Sequence, residues 1–248
     1  MKSRMMVLLL LVLVWCCTAA AKDITLDPVN YGLITQKQFD DFILDLGSAI
    51  SFTPMAPAKT LGLLGFDISG EVIVSDLSNS DAWKYLVEDN DTLQYLPVPR
   101  LHVQKGLPFS MDIGGMLVAY PDSNVRVWGL EFKKGIIDEG ALLPIPAVSA
   151  RVSYSKLEGV DDIALKTFSL DLLASKDFLM FTPYAGLSYL SVEGSEQSPI
   201  VTGLKEVKRS DTRALAGLQF SPLPFCAIDA EVVFGEVPQY GLKAGIRF

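Results

Sequence analysis

The sequence predicts an all-β protein, an antiparallel transmembrane β-barrel of about ten strands (eight or twelve being the alternatives) with a short N-terminal amphipathic helix. Three observations predict it. Apolar and polar residues alternate along many segments, no stretch beyond residue 21 is long and apolar enough to cross a bilayer as a helix, and the last residue is an aromatic in mid-alternation. Alternation along many strands is how a chain that is 50% hydrophobic carries its apolar side chains without long apolar runs.

The first element is "MKSRMMVLLLLVLVWCCTAAAKD", with Lys2 and Arg4, an uncharged apolar core from Met5 to Trp15, and small residues after it. Ala19 and Ala21 fit the minus-three and minus-one positions of a cleavage site, so residues 1–21 read as a secretory signal removed after Ala21. The core is short for an uncleaved anchor, and Trp15 is a poor neighbour for a lipidated Cys16 or Cys17. Both cysteines leave with the signal, and Cys226 alone permits no disulfide within the mature chain. Losing Lys2 and Arg4 takes 21 basic residues to 19 against 29 acidic ones, and the net charge from −8 to −10. That argues against nucleic acid as a partner.

The second element is the helix. In "LITQKQFDDFILDLGSAISF", Phe39, Phe42, Ile43, Leu46 and Ile50 recur at helical spacing, Thr35 and Gln38 form a capping box, and Asp40, Asp41 and Asp45 take the opposite face. Gly47 is expected to end the helix, and Pro54 and Pro57 mark the passage to the first strand. Residues 22–60 thus read as an N-terminal periplasmic segment with a helix at about 36–50, packed against the periplasmic mouth of the barrel or inside it. A gating plug and a docking helix for a periplasmic partner are the other readings.

The strands follow from residue 61 to 248. "LLGFDISGEVIVS" sets Phe66, Ile68, Val72 and Val74 against Asp67, Ser69 and Glu71; "PFSMDIGGMLVAY", "AVSARVSYS", "TRALAGLQF" and "CAIDAEVVF" repeat the pattern, and less regular versions lie at 98–105, 124–134, 163–174 and 178–192. Short Gly- and Pro-rich links at 104–108, 174–178 and 221–225 read as tight turns on one side. Longer or acidic links at 76–97, 121–124, 158–162 and 193–211 fall on the other, and the link at 136–146 is the irregular member. A secreted sandwich or a lipocalin-type barrel would also alternate, but its polar face would be rich in Lys, Glu and Thr. Here that face is mixed with Gly65, Ser69, Ser110, Gly114, Ser149 and Ser153. Tyr120, Trp128, Tyr154, Tyr184, Tyr189 and Tyr240 lie near strand ends and suit interfacial girdles.

The final strand, "QYGLKAGIRF", alternates Tyr240, Leu242, Ala244, Ile246 and Phe248 with small or cationic residues. An apolar unpaired edge would invite aggregation, and ring closure removes it. This strand resembles the C-terminal insertion signal of outer-membrane barrels. "LGSAISFTPMAPAKTLGLLGFDISGEV", "LPVPRLHVQKGLPFSMDIGG" and "DLLASKDFLMFTPYAGLSYL" resemble a family of proteobacterial outer-membrane β-barrels of uncharacterised activity. The resemblance implies a porin-like fold in a Gram-negative outer membrane, with outer-membrane lipid and the barrel assembly machinery as partners. It implies no catalytic or binding residue.

Chemistry-bearing motifs are few. His102 is the one histidine, and a Ser110/His102/Asp112 arrangement would be that of an acyl-processing outer-membrane enzyme, but no local motif accompanies it. No Cys/His spacing suits a metal, and the acids at 87–92 lack the order of a calcium loop, so neither metal nor cofactor is expected. With apolar faces toward lipid, the lumen receives Asp67, Glu71, Asp112, Glu131, Asp171, Asp229 and Glu231 together with Arg100, Lys133, Arg151, Arg213, Lys243 and Arg247. Near parity of sign predicts paired charges in a mostly closed interior, whereas a selective pore favours one sign. The sequence therefore reads as a non-enzymatic barrel with a structural or surface-interaction role. A small-solute pore gated by the helix is the alternative.

Overall fold

The computed structural model describes residues 35–77, 83, 94–119, 125–140, 145–197 and 203–248. The signal expected at 1–21, Tyr120 and the acidic stretch at 87–92 lie outside the described residues.

Period-two alternation resolves into ten strands: β1 (Phe66–Asp76), β2 (Tyr95–Leu107), β3 (Met111–Ala119), β4 (Arg126–Ile137), β5 (Ala147–Glu158), β6 (Ile163–Ser175), β7 (Phe181–Glu196), β8 (Val207–Leu223), β9 (Cys226–Phe234) and β10 (Gln239–Arg247). Each pairs antiparallel with its sequence neighbour, and β1 closes onto β10, with Asp67 opposite Arg247 and Val74 opposite Tyr240. Closure satisfies both edges of the sheet. Burial alternates along every strand: Leu101, Ile113, Leu130, Phe132, Phe168, Leu170, Leu172 and Leu187 face outward and are exposed, while the intervening residues are buried in the lumen.

The tight turns, the start of β1 and the end of β10 share one end of the barrel, here the turn end; the opposite end is the loop end. β2 continues to Leu107 and β8 to Leu223, so the turns expected at 104–108 and 221–225 shrink to residues 108–110 and 224–225. Likewise β7 runs to Glu196 and β8 begins at Val207, taking up both flanks of the link expected at 193–211. The cross-strand ladder carries the polar flanks of these links into the sheet.

Helix α1 (Gln36–Ile50) has the capping box expected of Thr35 and Gln38. Of the positions expected, against a barrel mouth or inside it, the helix takes the second. α1 lies inside the lumen at the loop end, where Lys205 donates its amide to Gln36 Oε1 at 2.9 Å. It is buried on all sides from Phe42 to Ile50, including Asp45 on the face expected to be solvated. Gly47 does not end it. A Cβ there would come within 2.2 Å of Val192, so the missing side chain is what lets the helix approach β7. Gly194 offers the same space to Ile43 from the strand side, at 2.6 Å.

From Ser51 the chain continues as an extended strap, buried through Ala58, down the lumen to the turn end. There the Leu61 amide donates to Asp112 at 3.0 Å and the Gly106 amide to the Gly65 carbonyl at 3.0 Å. Residues 35–65 therefore run the height of the barrel on its inside before β1 begins.

Candidate functional site

The lumen has two storeys. At the loop end an apolar wall packs α1: Val98, Met116, Val118, Val127, Leu157, Ile163, Leu165, Leu190, Val192 and Val207 form one buried cluster with Phe39, Phe42, Ile43 and Leu46. Trp83 closes this storey with its ring edge-on to Phe42 at 4.9 Å, and its indole N–H donates to Asp45 at 3.1 Å.

Below α1 the wall becomes charged. Alternation points Glu71, Arg100, His102, Glu131, Arg151 and Asp171 inward from β1, β2, β4, β5 and β6, and the register brings them into one chain. Arg100 Nε lies 2.5 Å from Glu71, whose other oxygen lies 2.7 Å from His102 Nδ1. His102 Nε2 lies 2.9 Å from Glu131. Arg151 joins Glu131 and Asp171, each at 2.5 Å. Gly114 makes room for this row, since a Cβ there would stand 2.4 Å from Glu131 Oε1.

The strap lies against that row. Phe52 sits between two guanidinium groups, 4.8 Å from Arg151 and 5.7 Å from Arg100, with His102 at its edge at 4.9 Å. Arg100 donates to the Ser51 carbonyl at 3.1 Å and to the Thr53 hydroxyl, and Ser153 donates to the Phe52 carbonyl at 3.2 Å. Gln239 and Ser155 bond the Ser48 and Ile50 carbonyls at 2.8 and 2.9 Å, capping the end of α1, where cations are also favoured by the helix dipole. Lower down, the Met55 amide donates to Glu231 at 3.1 Å, and Lys133 reaches the Pro57 and Lys59 carbonyls at 3.4 Å.

Of the thirteen charges expected in the lumen, twelve are buried there and Arg247 is half-buried at the turn end. Lys133 pairs with Asp112 at 3.0 Å and Lys243 with Asp67 at 3.3 Å. General pairing is corrected for four of them. Arg213 donates to Ser51, Ser188 and Gln239, Arg247 donates to Gln219, Asp229 accepts from Gln219, and Glu231 accepts from the strap. The strap and neutral wall groups take the place of the missing counter-charges.

The Ser110/His102/Asp112 arrangement is not assembled: Ser110 is in the β2–β3 turn, Asp112 is held by Lys133, and His102 meets two glutamates. No cluster able to hold a metal occurs among the described residues. Tyr184, expected in a girdle, is buried in the lumen, whereas Tyr189 and Tyr240 are exposed outside and Trp128 lies 5.6 Å from Tyr154. In the closing strand Tyr240, Leu242 and Ile246 face outward, Ala244 is half-buried, and Phe248, just past the strand, is exposed; its amide bonds the Phe66 carbonyl at 2.9 Å. Phe52, Thr53, Met55 and Trp83 carry no periodicity or motif that marks them in the sequence.

DUF6588, a family of unknown function, matches residues 85–248. The chain belongs to that family. The DUF6588 match takes in β2 to β10 and leaves out α1, the strap and β1. No curated protein matches the chain. Among solved structures, it is similar to the attachment invasion locus protein Ail of Yersinia pestis, with 18% identity, 74% of this chain and 98% of that one covered, and a TM-score of 0.32. It is also similar to the N-terminal barrel domain of Pseudomonas aeruginosa OprF, with 13% identity, 75% and 99% covered, and a TM-score of 0.33. A third similar structure is the KdgM porin in complex with disordered oligogalacturonate, with 10% identity, 73% and 99% covered, and a TM-score of 0.37. Likenesses this low transfer no role to this chain.

Proposed function

We propose that the protein is a sealed barrel of the bacterial outer membrane with a structural or surface-interaction role, and that it does not conduct solutes. The observation that carries this reading is the filling of the lumen by α1 and the strap, buried from Phe42 to Ala58. Membrane residence is supported by the outer face, where Leu, Ile and Phe stand exposed at positions a water-soluble barrel would fill with Lys, Glu and Thr. The turn end faces the periplasm in this reading, and outer-membrane lipid is the partner of the belt. During biogenesis the assembly machinery reads Tyr240, Leu242, Ala244, Ile246 and Phe248, so Phe248→Asp is expected to lower the heat-modifiable barrel band in cells while Phe248→Tyr leaves it intact. Equal assembly of both variants removes that role from the strand.

Planar-bilayer recording tests the sealed lumen. Wild-type protein is expected to give near-zero conductance, and a variant lacking residues 36–58 is expected to give discrete open steps if it assembles. Stable steps from the wild type overturn the reading in favour of a small-solute pore gated by α1. One observation favours that second reading: the filling segment is held by packing, hydrogen bonds and ion pairs alone.

A further inference from the structure

Three short turns at the turn end, of two or three residues each, break the usual chemistry of such turns. A positive φ is adopted by Phe109 (65°) and Ser110 (52°) between β2 and β3, by Leu179 (55°) between β6 and β7, and by Phe225 (73°) between β8 and β9. Those positions ordinarily take Gly, Asn or Asp, which tolerate the left-handed region and solvate well. Here each turn carries a bulky apolar residue instead. Phe109 is 81% exposed, Phe225 65%, and Leu179 is fully exposed. They gain no burial in the protein to offset the backbone cost.

Their surroundings are mostly apolar, with one ion-paired group, Lys59 and Lys176 with Asp177 and Glu139, at the same rim. Leu63, Leu64, Phe178 and Phe248 are also exposed at this rim. Phe181 stacks on Phe220 at 4.9 Å, and Phe248 stands 6.2 Å from Phe225 and 6.0 Å from Phe66, so aromatic rings continue across the seam. Phe109 extends the outward series of Leu101, Val103 and Leu107 without a polar break other than Lys105. Lys105 bonds the Leu63 and Gly65 carbonyls at 2.8 and 3.0 Å, and Lys134 bonds the Phe109 carbonyl. Such ammonium groups suit the level of lipid phosphates.

Length decides where that level falls. An outer-membrane barrel presents an apolar band about 25 Å tall, which roughly ten residues of tilted strand cover. On β6 the charged residue nearest the loop end on the outer face is Lys166; from there the band runs through Phe168, Leu170, Leu172 and Ala174, so ten residues of strand end at the turn itself. A band stopping short of the turn would be too thin.

We infer that the turn-end rim is a lipid-binding surface, with Phe109, Leu179 and Phe225 inserted into the headgroup–acyl boundary of the leaflet on that side. The occupant is the phospholipid leaflet, because the rim is continuous with the lipid-facing belt. The inference rests on the membrane-spanning reading above and refines its depth.

Nitroxide accessibility separates the two. In a Cys226→Ser background, single cysteines at Phe109, Leu179, Phe225, Leu170 in the belt and Asp161 at the loop end are spin-labelled, and each variant that keeps the wild-type heat-modifiable band is reconstituted into phosphatidylethanolamine/phosphatidylglycerol vesicles. Leu64→Cys substitutes for any turn variant that does not assemble. The turn labels are expected to show an oxygen-to-nickel-chelate accessibility ratio several-fold above that of position 161 and below that of position 170. Turn labels as open to the nickel chelate as position 161, with position 170 still deep, overturn the inference and leave the barrel in the membrane. Turn labels closed to both reagents also overturn it, since protein then covers the rim. Free access of the chelate to position 170 as well overturns the membrane reading itself.

Discussion

The two storeys of the lumen solve the same problem, an interior filled by the chain's own backbone, with opposite chemistry. α1 satisfies its backbone internally, so the wall around it can be valine, leucine and isoleucine. The strap has no such ladder, and its carbonyls and amides are met by Arg100, Arg151, Lys133, Asp112, Glu231 and Ser153. The polarity of a barrel interior is here a record of the backbone that occupies it. Charges that look like the lining of a pore serve largely as hydrogen-bond partners for a filled interior.

The largest expected effect lies in the charged storey. Arg151→Ala leaves Glu131 and Asp171 facing each other without their shared guanidinium and uncovers Phe52. Removing one member of a buried ionic group costs about 3–5 kcal/mol, so the melting temperature of the heat-modifiable form should fall sharply. A wild-type melt would mean that water reaches this row and the interior is open. In the apolar storey, Gly47→Val drives a side chain into Val192, and overpacking of this kind costs about 1–3 kcal/mol. Val192→Ala should restore much of the loss; without that rescue, α1 is not seated against β7.

A smaller effect is expected from Glu231→Ala, which removes one bond to the Met55 amide, worth about 1 kcal/mol. A loss as large as that of Arg151→Ala would mean that Glu231 belongs to the ionic row. A further effect is one of pH. Burial lifts the Asp45 carboxyl from 3.8 to about 6, although Trp83 donates to it. A carboxyl raised in the folded state binds more protons there than in the unfolded state, so stability falls as pH rises from about 4 to about 6. Asp45→Asn should lessen the slope of the melting temperature across that window, and an unchanged slope would mean that Asp45 does not titrate there.

The strands were legible because period two is local: Asp67, Glu71 and Glu231 declare their face by their neighbours alone. Their partners were not legible, since the meeting of Glu131 with both Arg151 on the next strand and His102 beyond β3 depends on register and side-chain reach. The helix was legible as a helix and less so in place. Asp40, Asp41 and Asp45 give it the polar stripe of a surface helix, and only the Trp83 contact explains why Asp45 can be buried. The strap "SFTPMAPA" carries no periodicity, so its hold on the lumen appears only with the wall around it.

Thr35 lies at the loop end and Phe66 at the turn end, and the seam between β1 and β10 runs outside the segment that joins them. The ring is thus closed around a thread of its own chain. A strap cannot be added sideways to a finished ring: it is enclosed when the seam zips, or it is pulled lengthwise through the bore afterwards. In the first order of events the thread is a mandrel on which the staves are gathered, and a folded domain fused ahead of Thr35 would be harmless if it stood beyond the loop end before closure. In the second, the same domain would jam in the bore.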